Sequence, residues 1–208
     1  MLANDDRRPF CVPSAIMILG LLAMGALAAC FVWAWDYYLL PQSQRPLHTD
    51  FEILRPGGRA GLLWGLIGAA LILFNLGYLL RRHLIGWHWL GSLRLWLSFH
   101  MMTGVVAALA GILHSTLTVS SPLAALAFWC LQLTTVTGLS GIIIYMRLSL
   151  SLEEYQVQGH EPSPSAKRLL QTWRFLHRWL AILLLAALLL HIVVAVRFGD
   201  LWILGGRS

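Results

Sequence analysis

The sequence predicts an all-α, polytopic membrane protein of five transmembrane helices, and two observations carry that prediction. Of its 208 residues, 58% are hydrophobic and 12% charged, where a soluble domain carries about 45–50% apolar and about 25% charged residues. The mean hydropathy is +0.71. The apolar residues also gather into long runs without Asp, Glu, Lys or Arg, at 9–35, 60–80, 95–146 and 179–196. A water-soluble globule is excluded by this composition. So is a disordered chain, which needs low hydrophobicity and high net charge.

The first run predicts a helix over about 13–38. Its flank Arg7-Arg8-Pro9-Phe10 looks like a twin-arginine signal, and Leu27-Ala28-Ala29-Cys30 like a lipoprotein cleavage box. The apolar run continues past both to Trp35, which favours an ordinary first helix. An outer loop is expected at 41–59, where Pro41, Pro46, Pro56 and Gly57-Gly58 interrupt the pattern. The second helix, about 60–81, carries Gly61, Gly65 and Ala69 at four-residue spacing, a small-residue face for close packing. Asn75 on that helix is expected to make an interhelical hydrogen bond.

The run over 95–146 would measure about 78 Å as one helix, more than twice a ~30 Å hydrocarbon core. It must therefore fold back, and Thr118-Val119-Ser120-Ser121-Pro122 supplies the turn. That gives a third helix over about 96–117 and a fourth over about 123–147. A polar inner loop is expected at 148–175, then a fifth helix over about 176–197. Counting Lys and Arg in the loops sets ten on one side against five on the other. This places the N-terminus in the cytoplasm and the C-terminus outside a cell (inner) membrane. The net charge of +6 is read in the same way, as loop charge rather than a nucleic-acid surface.

Polar residues within a bilayer are costly and usually mark function. His100 and His114 lie on the third predicted helix and His177 and His191 on the fifth, each pair 14 residues apart. Fourteen residues turn a helix through about 1400°, close to four full turns, so both histidines of a pair share a face. They are separated by about 21 Å of rise. One intervening helix makes the two carriers parallel, so His100 is level with His177 near the inner surface and His114 with His191 near the outer. Two level imidazoles facing each other suit a six-coordinate haem iron, held from both sides by axial ligands. Two such tiers predict two haem b groups. Cys11, Cys30 and Cys130 form no Cys-x-x-Cys, so any haem is held by coordination alone.

On the third helix, Gly104 and Gly111 stand between the ligands and leave room for bulky rings. Arg94, Arg174 and Arg178 flank the inner histidines and are candidates to pair with haem propionates; on the outer side Arg197 is comparably placed. His83 and His88 are candidate lining for a quinone or propionate site, whereas His48 and His160 fall in loops and carry no signal. No catalytic triad, paired carboxylates or phosphate loop is present in the sequence.

Ser98-Phe99-His100, Gly111-Ile112-Leu113-His114, Phe175-Leu176-His177 and Leu190-His191, with Gly138-Leu139-Ser140-Gly141-Ile142 in the fourth helix, resemble the ferric-reductase-like transmembrane family, which includes the NADPH oxidases. The resemblance covers about residues 60–197. It implies a di-haem cytochrome b with the inner haem between His100 and His177 and the outer between His114 and His191. That family commonly adds a sixth helix, and its oxidoreductases continue into flavin and nicotinamide domains; no Gly-rich dinucleotide fingerprint is found here. Quinol-linked cytochrome b subunits of respiratory complexes use the same four-histidine logic. The expected role is thus electron transfer inside a redox complex, with membrane lipid, other redox subunits and a quinone as partners. A ferric-reductase-type subunit fed by a separate flavoprotein and a cofactor-free structural subunit are the alternatives.

Overall fold

The computed structural model describes residues 13–83, 91–119, 121–157 and 164–198. Every regular element among them is helical: α1 (Ser14–Trp33), α2 (Trp35–Leu39), a 3-10 turn (Arg45–Leu47), α3 (Phe51–Leu54), α4 (Arg59–His83), α5 (Leu93–Ser115), α6 (Pro122–Val157) and α7 (Pro164–Phe198). Five helices are long and apolar enough to cross a membrane, which matches the number of spans expected. Many large side chains on them face outward, among them Leu22, Leu66, Ile143 and Val193. A bilayer accepts such a surface, whereas water would drive it to aggregate.

Several helix limits differ from those expected. The first helix does not run unbroken to 38 but breaks at Ala34, whose φ of −105° and ψ of 26° leave the helical basin. The break lets α2 turn inward. Tyr37 and Tyr38 then bury almost completely, and Tyr38 stacks on Phe31 with ring centroids 5.2 Å apart. The inner loop at 148–175 is also mostly helix, because α6 runs on to Val157 and α7 begins at Pro164. Proline is well tolerated in a helix's first turn, and Leu, Glu, Lys, Arg and Gln favour helix. The hydropathy pattern marked where helices are apolar, not where they end. Residues 158–163 of that loop lie outside the described residues.

Other boundaries have local causes. The side-chain oxygen of Ser92 accepts the Leu95 N–H at 3.3 Å and starts α5 a few residues early, just after Gly91 with its φ of +91°. Thr116 and Leu117 adopt left-handed φ of 52° and 58° and stop α5 at Ser115. Ser121 then caps α6 by accepting the Ala124 N–H at 3.1 Å, so the reversal falls where expected.

Packing joins α4 to α5 most extensively, then α6 to α7, with α1 and α6 lying against α5. The molecule is thus two helical hairpins joined through α5 and α6. One apolar core gathers Leu27, Tyr37, Tyr38, Leu54, Val106 and Leu113. A second gathers Ile72, Ala107, Ala108, Cys130, Leu131 and Leu184. Asn75 makes the expected interhelical bond, its Oδ1 lying 2.7 Å from Thr103 Oγ1 on α5.

Candidate functional site

The four histidines meet in two facing pairs. Ring centroids of His100 on α5 and His177 on α7 are 6.3 Å apart, with planes at 81°. Those of His114 on α5 and His191 on α7 are 6.2 Å apart, with planes at 77°. Such pairing at both levels requires α5 and α7 to run parallel and in register. The backbones of these two helices are not among the closely packed pairs, so the rings reach across a gap. A metal accepting one imidazole nitrogen from each side at about 2.0 Å, with each ring centre a further ~1.1 Å behind, would separate the centroids by about 6.2 Å.

Hydrogen bonds select the tautomer of one imidazole in each pair. His114 Nδ1 lies 2.9 Å from the carbonyl oxygen of Gly61. A carbonyl only accepts, so Nδ1 carries the proton and Nε2 keeps its lone pair. His177 Nδ1 lies 3.0 Å from Thr137 Oγ1. That hydroxyl donates its hydrogen to the Thr134 carbonyl at 3.0 Å, so it accepts from His177 and again leaves Nε2 bare. Fixing the distal N–H in this way orients a ligating histidine and raises its basicity.

Glycines on the neighbouring helices make room for the same two rings. A Cβ on Gly65 of α4 would stand 2.8 Å from His114 Nδ1, and one on Gly138 of α6 would stand 3.3 Å from His177 Cε1. The small-residue face of α4, expected only to pack helices, therefore also seats His114. Trp173 stacks on His177 with centroids 5.9 Å apart and planes at 18°. Its indole N–H donates to the Thr137 carbonyl at 2.7 Å, and its ring lies over Gly141. Tyr78 of α4 covers His100 with centroids 5.3 Å apart. Between the two levels, Ala107 of α5 and Leu184 of α7 both belong to the second core, with Leu188 packed against it.

Other expected site residues are placed less centrally. Gly104 faces Asn75, whose Nδ2 would stand 3.7 Å from an added Cβ, and Gly111 lies against Leu131; their smallness serves α4 and α6. Arg94 is half-buried at the start of α5, while Arg174 and Arg178 are exposed on α7, as is Arg197. His83 is exposed at the end of α4. His48 bonds Asp36 at 3.2 Å in the segment after α2. His88 and His160 lie outside the described residues.

Two buried arginines escaped the sequence reading, Arg45 at 5% exposure and Arg81 at 8%. Both were counted only as loop charges for topology. Arg45 is fully engaged. Its Nε donates to the Leu40 carbonyl, its Nη2 to that of Tyr38, and its Nη1 to the Thr116 carbonyl and hydroxyl and the Thr118 hydroxyl, at 2.7–3.2 Å. A guanidinium from the segment between α2 and α3 thereby caps the C-terminus of the helix that carries His114.

Among the described residues, no three His, Cys, Asp or Glu side chains converge as a metal-binding group. Each level offers two imidazole rings, a donor set that suits a group bringing its remaining ligands with it. No known protein family, curated protein or solved structure matches this chain, so the functional reading rests on the facing histidine pairs.

Proposed function

We propose that this chain is a membrane-embedded, b-type di-haem cytochrome subunit. It carries electrons across the bilayer between a quinone or redox partner at the inner side and a redox partner at the outer. The observation that carries this reading is the repeated centroid separation, 6.3 Å in one pair and 6.2 Å in the other, which would let the two imidazoles of each pair hold one metal between them.

His100 and His177 hold the inner haem, and His114 and His191 the outer. Gly61 and Thr137 fix the distal protons of His114 and His177 and keep Nε2 free to ligate. Tyr78 and Trp173 pack against the His100 and His177 rings and apolar core side chains surround them; low local polarity shifts redox potential. Bound haem supplies one-electron chemistry, at a potential set by axial ligands, hydrogen bonding and burial.

The test is a reduced-minus-oxidised spectrum of the purified protein. Two low-spin b-type centres are expected. His114→Ala and His191→Ala should each remove one centre, and His100→Ala and His177→Ala the other. A wild-type sample without a Soret band would leave a cofactor-free membrane subunit and overturn the proposal.

A further inference from the structure

The two buried arginines differ in one respect that bears on ligand binding. Arg45 directs all three guanidinium nitrogens to protein oxygens. Arg81 has one such bond, from Nη2 to the Gly91 carbonyl at 3.1 Å, and its buried Nε has no partner. Among the described residues no carboxylate pairs with it; the ion pairs there belong to His48 and Arg55. A desolvated guanidinium with an open donor is expensive unless an anion meets it. Its planar fork matches a carboxylate or phosphate through two parallel hydrogen bonds.

The position of Arg81 says where that anion lies. It follows Tyr78 by three residues, about one helical turn on the same face of α4, and the Tyr78 ring covers His100. The open donor therefore lies on the Tyr78 face of α4, one turn beyond the His100 level and beside the start of α5. Arg174 and Arg178, the cations nearest His177 in sequence, are exposed on α7.

We propose that Arg81 is an oxyanion-binding residue of the inner tier, its occupant a carboxylate of the planar ligand held between His100 and His177. A phospholipid headgroup phosphate is the other source of the same chemistry. The carboxylate source rests on the di-haem reading; the oxyanion site itself does not.

Two arms on the full-length protein test this. In the first, protein from haem-deficient cells is titrated with haem and with haem dimethyl ester, whose carboxylates are blocked, and uptake is followed at the Soret band. One of the two equivalents should prefer haem by roughly tenfold or more, the effect of one charge-assisted hydrogen-bonded pair. Arg81→Gln should abolish that preference, Arg81→Lys should keep part of it, and Arg174→Gln and Arg178→Gln should leave it intact. In the second arm, nanodiscs of phosphatidylglycerol or phosphatidylcholine report whether Arg81→Gln loses a retained anionic lipid, which would assign the site to a headgroup. If Arg81→Gln changes neither readout, or if Arg174→Gln removes the porphyrin preference instead, the proposal is overturned. Wild-type protein that takes up no porphyrin overturns the di-haem reading, and the lipid arm still decides the role of Arg81.

Discussion

Gly65 and Gly138 stand where an added Cβ would press on an imidazole, at 2.8 Å from His114 Nδ1 and 3.3 Å from His177 Cε1. Overpacking of this kind costs about 1–3 kcal/mol. Gly65→Ala should therefore lower thermal stability in detergent and, on the di-haem proposal, broaden the spectrum of the centre held by His114. Gly138→Ala should do less, and Gly104→Ala, with 3.7 Å of clearance, should be nearly neutral. Tyr38 gives a pH-dependent check. Burial, reinforced by Tyr37 and Cys30 and opposed by Arg45, pushes its hydroxyl up to about 12 from an ordinary 10.0. The neutral phenol's contribution to stability is thus complete below pH 10 and is lost as pH rises through about 12. Tyr38→Phe should flatten the fall in stability over that interval, measured by thermal unfolding against pH. At this scale the four histidines were legible, because a 14-residue spacing and an uncharged surround are properties of the chain itself. Thr137, Trp173, Gly65 and Arg81 were not, since each acquires its role only from a partner on another helix. Trp173 did leave a trace, lying four residues before His177 and so on the same face.

Among the elements, the join between the α2–α3 segment and α5 rests most on one side chain. Replacing Arg45 with Met keeps much of its volume but leaves the buried carbonyls of Tyr38, Leu40 and Thr116 without this donor. The expected loss is about 2–4 kcal/mol, read by unfolding in detergent. Arg45→Lys should recover less than half, because a single ammonium cannot span the same acceptors. The number of long helices was legible from uncharged runs, and the reversal before Pro122 from its turn residues. The inner extensions of α6 and α7 were not, because beyond the apolar window helix formation is decided by propensity and capping rather than hydropathy. The break at Ala34 was hidden for the opposite reason: the apolar run passes straight through it. Only the burial of Tyr37 and Tyr38 against α5 explains the change of direction.

For the whole molecule, the arrangement of hairpins matters more than any one contact. α4 pairs with α5 and α6 with α7, and the histidine rings bridge α5 to α7 where the backbones stay apart. The all-α architecture was legible from composition, whereas this division into hairpins was not, because hydropathy carries no information about which helices are neighbours. A ligand gripped at both levels would fasten one hairpin to the other at two heights. Tight binding to the native state alone adds roughly 4 kcal/mol at a thousandfold excess over Kd. If the di-haem proposal holds, cofactor supply should govern how much of the protein a cell keeps. In cells unable to make porphyrin, the halves would be stitched only along the α5–α6 seam, and membrane proteases would clear the chain faster than in replete cells. A pulse-chase comparison of the two would read that difference, and the His100→Ala/His114→Ala double variant should decay at the starved rate in both.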